Sequence, residues 1–230
     1  MKDWDWLTLL TLAIAFLGCG VAAHIFLRRR NYVSKLLAGY VLVLAAGLAE
    51  PLVFPLIGRT AGDLWGGFSL LYGPFLFLFV KNSLELPAGS VRIDYRHFLP
   101  FLLYILFILF SVLMRMSAVP EMVEFITYEL LFMQIFIYCF KSGSIFRRNR
   151  LEAQRPFSEI TEMNRSFLRI MVAISSVLFA TSFGFTHLLI FWKIDFPFKF
   201  QIIQLGLSLL IFVIALLNTE SMERHQSIAR

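Results

Sequence analysis

Five polar side chains stand in stretches that are otherwise almost entirely apolar, and their residue types could bind a ligand or a proton. They are Glu50, Glu129, His187, Gln201 and Gln204. Carboxyl and imidazole groups exchange protons, whereas glutamine amides both donate and accept hydrogen bonds. Polar groups inside a membrane are costly, so each is a candidate for function. The first question is which elements carry them and at what level.

The composition indicates that most of the chain is surrounded by lipid. Hydrophobic residues make up 59% of the 230 residues, and the mean hydropathy is +0.76. A soluble domain is usually about 45–50% apolar. Stretches of about 18 or more apolar residues are candidate transmembrane helices. Seven are predicted, at 6–27, 34–57, 67–84, 98–114, 122–140, 166–191 and 198–217.

The basic residues predict the orientation of these helices, because short loops rich in Lys and Arg stay in the cytoplasm. Most of the 21 Lys and Arg residues fall in alternate connections; the exceptions are Lys2, Arg59, Arg115, Lys193 and Lys199. The acidic start MKDWDW argues against a signal peptide. We therefore predict an all-α polytopic membrane protein with its N-terminus outside. Residues 1–218 form the seven-helix domain, and residues 219–230 form a short cytoplasmic tail.

The five polar residues fall at similar depths in this arrangement. Glu50 and Glu129 each lie about seven residues from the outer end of their helix, or about 10 Å at 1.5 Å per residue. His187 lies about four residues from its outer end, and Gln201 and Gln204 about three and six. We predict a polar pocket that is open to the outside and receives a small ligand, a peptide end or protons. The alternative is that these groups only link neighbouring helices.

Prolines and a glycine mark two helices. The third stretch contains Gly73 and Pro74 within LLYGPFLFLFVKNSL, and Pro51 and Pro55 follow Glu50 in the second. Proline is tolerated in a membrane helix where a neighbour satisfies the carbonyl that it frees. Glycine lets another helix approach closely. Both pairs are therefore predicted packing or kink sites.

A basic segment, FRRNRLEAQR, follows the fifth stretch at residues 146–155. Such a run just inside a membrane attracts anionic lipid head groups. We predict a cytoplasmic basic loop that binds anionic lipid through Arg147, Arg148, Arg150 and Arg155.

The residue patterns argue against an enzyme. His24, His97 and His225 are predicted near the inner side and His187 near the outer, so they cannot share one metal. Neither His-Glu-x-x-His nor Gly-x-Ser-x-Gly occurs. We therefore predict no catalytic residue, no metal and no cofactor.

Several motifs resemble one bacterial family in their order and spacing. LLYGPFLFLFVKNSL is followed by RHFLPFLLYILF, FSEITEMNRSFLRI and LGLSLLIFVIALL. Together they look like the seven-helix membrane region of AraC-type transcription regulators, with matches at Phe157, Ser158, Asn164, Leu168 and Arg169. The resemblance implies a sensor domain in the bacterial inner (plasma) membrane.

One departure from that family concerns the output. The family continues into a cytoplasmic helix-turn-helix module, whereas this sequence ends at NTESMERHQSIAR. We expect either the sensor part alone or a stand-alone relative. Its expected partners are the lipid bilayer, an unknown small ligand, a second copy in a homodimer, and a cytoplasmic effector or a missing DNA-binding module. The alternative function is a small-molecule transporter or a subunit of a membrane complex.

Overall fold

The computed structural model describes residues 6–28, 32–57, 64–84, 94–114, 121–152, 159–193 and 202–215. Helices fill nearly all of these ranges, and we number them in chain order. They are α1 (Trp6–Arg28), α2 (Tyr32–Ile57), α3 (Leu64–Leu84), α4 (Leu99–Leu113), α5 (Glu121–Glu152), α6 (Glu159–Trp192) and α7 (Ile202–Ala215). No strand occurs within these ranges, so the predicted all-α fold class is confirmed.

Six of the described helices, α1 to α6, lie in segments long and apolar enough to cross a membrane. The seventh, α7, is apolar but shorter, and both ends of its predicted span, 198–217, lie outside the described residues. The count of seven spans and the orientation therefore stay predictions. The tail, 219–230, also lies outside the described residues.

The helix α3 consists of two parts with different geometry. A 3₁₀ segment, Gly67–Leu71, is followed by regular α-helix over Tyr72–Leu84. The change falls immediately before Pro74, which lacks a backbone N–H and whose ring crowds the carbonyl four residues earlier. A tighter 3₁₀ turn is a common response to such a local conflict. By contrast, α2 runs without interruption through Pro51 and Pro55, whose side chains lie outside the described part.

The helices α5 and α6 extend well beyond the stretches predicted from hydropathy. The basic segment was expected to be a loop, but α5 continues to Glu152 and carries Arg147, Arg148 and Arg150 on helical backbone. Arg, Leu and Glu are compatible with helical backbone. Ile145 is also buried and anchors this part of α5. Arg155 and the side chain of Arg150 lie outside the described residues.

The core is built around α3, which contacts both α2 and α5. The helix α1 packs along α2, and α5 packs along α6. Side chains from α2, α3, α6 and α7 are almost fully shielded at the centre; examples are Leu44, Leu78, Met171 and Ile211. The backbones approach closely where α1, α2 and α7 meet, because a Cβ on Gly18 would lie 3.0 Å from that of Ala45 and 3.2 Å from Ile211 Cδ1.

The helix α4 is the least enclosed element. It touches the 3₁₀ part of α3, and only Ile108 and Ser111 of its side chains are buried. Its outward-facing residues are large and apolar: Leu99, Leu102, Leu103, Leu106, Leu109, Phe110 and Leu113. A continuous apolar surface of this size is unusual for a water-facing helix. It matches the surface that a helix presents to lipid.

Candidate functional site

Pro74 frees a backbone acceptor in α3, and a side chain from α5 binds it. In a regular α-helix the carbonyl of Leu70 would accept from the amide of residue 74, which proline lacks. Gln134 Nε2 donates to Leu70 O at 3.1 Å. The neighbouring helix thus supplies the hydrogen bond that Pro74 cannot make.

Gly73 marks a close approach of the same two helices. It is buried, and a Cβ at this position would lie 2.5 Å from Tyr138 Cδ2 and 3.2 Å from Tyr138 Cγ. The Tyr138 ring therefore lies directly on the backbone of α3. Any larger residue at position 73 must displace this ring or move α5.

Glu129 and His187 form a direct contact between α5 and α6. His187 Nε2 lies 2.8 Å from Glu129 Oε1, and the other ring nitrogen, Nδ1, lies 3.0 Å from the carbonyl oxygen of Phe183. The side chain of His187 is 24% exposed and that of Glu129 is 36% exposed. The pair is thus partly shielded and partly accessible, at the end of the bundle where α5 begins.

Both contacts of His187 can be hydrogen bonds at the same time only if the pair holds two protons. A carbonyl oxygen only accepts, so Nδ1 must carry a proton to bond to Phe183. Nε2 and the carboxylate oxygen of Glu129 would then both be acceptors unless a further proton lies between them. That proton makes either an imidazolium with a carboxylate or a neutral imidazole with a carboxylic acid. Both forms have zero net charge, which favours them in an apolar environment. Loss of the proton leaves the pair with a net negative charge and one imidazole N–H for two acceptors, Glu129 and the carbonyl of Phe183, so that only one of the two hydrogen bonds can remain.

Aromatic rings pack between α5 and α6 beside this pair. The ring of Phe183 lies 3.8 Å from that of His187, and it makes edge contacts with Phe132 and Phe136 at 5.2 and 5.6 Å between centroids. On α6, Phe183 and His187 are four residues apart and share one helix face. The aromatic residues form an apolar seam that begins at the pair. Water can therefore reach the pair only from the sides that these rings do not cover.

Glu50 lies at a different contact, between α2 and α3. Its Oε1 lies 3.6 Å from where a Cβ on Gly66 would be, so the carboxyl group packs on the first turn of α3. Nearby, Trp65 Nε1 donates to Ala46 O at 2.9 Å and also joins these helices.

The structure therefore brings two of the five predicted site residues together. Glu129 and His187 are in contact, Glu50 packs against α3, and Gln204 is half-buried on α7. Gln201 lies outside the described residues. The helix α6 also contacts α3, since the ring of Phe179 lies 5.2 Å from that of Tyr72 between centroids.

A second cluster of polar and aromatic groups lies where α3 ends. His97 Nδ1 is 2.9 Å from the Tyr138 hydroxyl, and the rings of His97, Phe77 and Tyr138 make mutual contacts at 5.1–5.5 Å between centroids. The ammonium groups of Lys81 and Lys141 lie over these rings. Sequence reasoning had placed His97 at the inner side but had given it no partner.

A chain of two hydrogen bonds connects α2 with α6 at the centre of the bundle. Ser175 Oγ donates to Met171 O at 2.7 Å, so the Tyr40 hydroxyl, 2.8 Å away, donates to Ser175. Both side chains are fully buried. The spacing of Tyr40 and Ser175 in the sequence gave no sign of this contact, because it depends on how α2 and α6 are rotated.

The described residues show no grouping that would hold a metal ion. Within them, no three His, Cys, Asp or Glu side chains lie together. Of the two cysteines, Cys139 is buried and Cys19 is exposed, and they are not bonded to each other. The chemistry that this geometry offers is therefore proton exchange and hydrogen bonding at Glu129 and His187.

Comparison with known proteins adds no relative to this description. No protein-family model, curated protein or solved structure matches the chain at a significant level. The fold and the contacts described above are therefore the basis for any functional proposal.

Proposed function

We propose that this protein is a multi-pass membrane sensor in which the Glu129–His187 contact receives the signal. The observation that carries the proposal is the 2.8 Å contact between His187 Nε2 and Glu129 Oε1. Because the pair links α5 to α6 and remains partly exposed, protonation or a competing ligand changes the free energy of one helix packing relative to another. This is a population shift, in which the signal favours one of two existing arrangements.

The lengths of α5 and α6 give the signal a route across the membrane. With 32 and 34 residues, they are about 48 and 51 Å long at 1.5 Å per residue. The hydrocarbon core of a bilayer is about 30 Å thick. A change in their packing at the outer end is therefore carried beyond the opposite surface, toward the basic segment with Arg147 and Arg148.

The proposed orientation follows the distribution of basic residues. Seven spans with the N-terminus outside put the Glu129–His187 pair near the outer surface and the basic segment in the cytoplasm. The resemblance to AraC-type regulators favours a transcriptional output, through a cytoplasmic effector or a DNA-binding module, and a homodimer in the bacterial inner membrane. In this arrangement the basic segment contacts anionic lipids of the inner leaflet.

The proposal can be tested by measuring the distance between the outer ends of α5 and α6. Spin labels at the exposed positions Ile126 and Trp192 would report this distance in a nanodisc. We expect the distance to increase as the pH becomes alkaline, because loss of the shared proton leaves a net charge at the partly shielded pair and only one imidazole N–H for two acceptors. Glu129→Gln should keep the helices together at every pH, since its amide N–H can donate to His187 Nε2 without a titrating proton.

A matched control uses the same helix. Glu124→Gln removes the same charge five residues earlier on α5 and should leave the pH response as it is in the native protein. A distance that does not change with pH in the native protein would refute the proposal. So would a Glu129→Gln variant that responds in the same way as the native protein.

Transport is the second candidate, and one observation favours it. The 3₁₀ segment Gly67–Leu71 interrupts α3, and discontinuous helices form the binding sites of many secondary transporters. A substrate-dependent flux in proteoliposomes that Glu129→Gln abolishes would favour transport over sensing.

A further inference from the structure

We infer that the cluster at the end of α3 is a binding site for the phosphodiester head group of an anionic membrane lipid. The ligands would be the ammonium groups of Lys81 on α3 and Lys141 on α5. This site is separate from the Glu129–His187 pair and from the basic segment at Arg147 and Arg148, and the inference does not depend on the proposed sensor function.

The two ammonium groups contact the same aromatic ring. Lys81 Nζ lies 5.8 Å and Lys141 Nζ 6.0 Å from the centroid of Phe77. Lys141 Nζ also lies 5.8 Å from the centroid of Tyr138. Such cation–π contacts attract the two side chains toward the ring. The positive groups from two helices therefore lie within about 12 Å of each other.

The described residues at this site contain little negative charge to balance these groups. The one acid beside the cluster is Asp94, whose Oδ1 accepts from the Arg96 amide at 3.2 Å and whose Oδ2 lies 3.9 Å from His97 Nε2. Two like charges on one ring repel each other, and a phosphate between them would supply the opposite charge.

The surroundings favour a lipid over a soluble phosphate. Lys141 is exposed at the end of a stripe of exposed apolar side chains, Met133 and Ile137, which precede it at intervals of four residues and share its helix face. The neighbouring Phe140 is 69% exposed. Acyl chains can lie along this stripe while the phosphate meets the lysines, which extend to the interface as lysines near membrane helix ends do.

The experiment measures lipid retention by the full chain. The protein would be purified in detergent with equal amounts of phosphatidylglycerol and phosphatidylcholine, and the bound lipid counted by native mass spectrometry. We expect phosphatidylglycerol to be retained in preference. Lys81→Gln and Lys141→Gln should each weaken its retention about fivefold, the factor that corresponds to about 1 kcal/mol for one basic residue near an anionic surface. The double variant should bind the two lipids equally.

Lys35 provides the matched control. Its ammonium group also lies over an aromatic ring, at 5.4 Å from the Phe26 centroid, but it has no second lysine on that ring among the described residues. Lys35→Gln should leave retention unchanged. If the double glutamine variant does not fold, the double arginine variant decides the question: it keeps both charges and should retain the lipid as the native protein does.

Three results would overturn the inference. Equal retention of phosphatidylglycerol by the native protein and the double glutamine variant would show that the lysines do not bind it. An equal loss in Lys35→Gln would show only general attraction to anionic lipid. Displacement of the lipid by inorganic phosphate or glycerol phosphate at comparable concentration would identify a soluble-anion site instead.

Discussion

The hydrogen bond from Gln134 to the carbonyl of Leu70 should stabilise the protein because Pro74 has no backbone N–H to offer this carbonyl. Gln134→Leu removes the donor and leaves the Leu70 carbonyl without the partner that α5 provides. Pro74→Ala restores a backbone N–H at position 74 that can bond to the same carbonyl. The two substitutions should therefore be coupled: the loss of Gln134 should cost less stability when residue 74 is alanine.

The structure and known magnitudes set the size of this coupling. Leaving a buried polar group unsatisfied costs about 1–3 kcal/mol in soluble proteins. Side-chain hydrogen bonds between membrane helices average about 0.6 kcal/mol and reach about 1.7 kcal/mol. We therefore expect a coupling free energy of about 0.5–1.5 kcal/mol. Gln134 Oε1 is buried with no partner among the described residues, so leucine also removes an unfavourable group. That gain is present in both backgrounds and cancels in the cycle.

The assay is a double-mutant cycle on unfolding in detergent, with native, Gln134→Leu, Pro74→Ala and double variants. Gln204→Leu removes the same amide from α7 and should cost the same in both backgrounds. The reasoning would be wrong if Gln134→Leu had the same effect with proline and with alanine at position 74. It would also be wrong if the control showed a coupling of similar size.

The remaining predictions concern packing, the buried core and topology. Gly73→Ala should destabilise the protein by about 1–3 kcal/mol through overpacking against Tyr138, measured by thermal unfolding in detergent. Gly143→Ala, where the added Cβ meets nothing within 4 Å, should be neutral or stabilising by up to about 1 kcal/mol; equal effects would refute the contact. Tyr40→Phe should cost about 0.5–1.5 kcal/mol in the same assay, because Ser175 keeps its bond to Met171; a cost of several kcal/mol would contradict that arrangement. Reporter fusions should show a cytoplasmic location after Arg30, Ala153 and Arg230 and an external one near Gly62 and Ser117, and an external Arg230 would exclude seven spans.

Hydropathy predicted where the helices lie, because a residue in a membrane span is apolar whether it faces lipid or the interior of the bundle. That Glu129 and His187 lie at the same level of their two helices could also be derived, since a helix rises by a fixed amount per residue. Their contact could not, because depth does not define the direction in which a side chain points. The spacing of Phe132 after Glu129, and of Phe183 and Phe191 around His187, was the available signal of two facing helix surfaces.

Other features depend on tertiary packing and were not accessible from the sequence. The basic segment was expected to be a loop because its residues are polar, yet the buried side chain of Ile145 ties this part of α5 to the bundle. The partner of His97 could not be derived either. That partner is Tyr138, which is forty-one residues away in the sequence and belongs to α5, a helix that packs against α3.

Directional polar contacts join α5 to its neighbours in the bundle. Apolar surfaces between helices in lipid provide little preference for one register over another, so directional contacts must select it. Among the described residues, α5 makes such contacts with α6 through Glu129, with α3 through Gln134 and with His97 through Tyr138. The contact through Gln134 involves only neutral groups, and Tyr138 and His97 can bond as neutral groups. In the proposed sensor, the contact through Glu129 is the one that a proton or a ligand changes. Such a change would leave α5 held through Gln134 and Tyr138, and the helix could tilt about these two contacts without leaving the bundle.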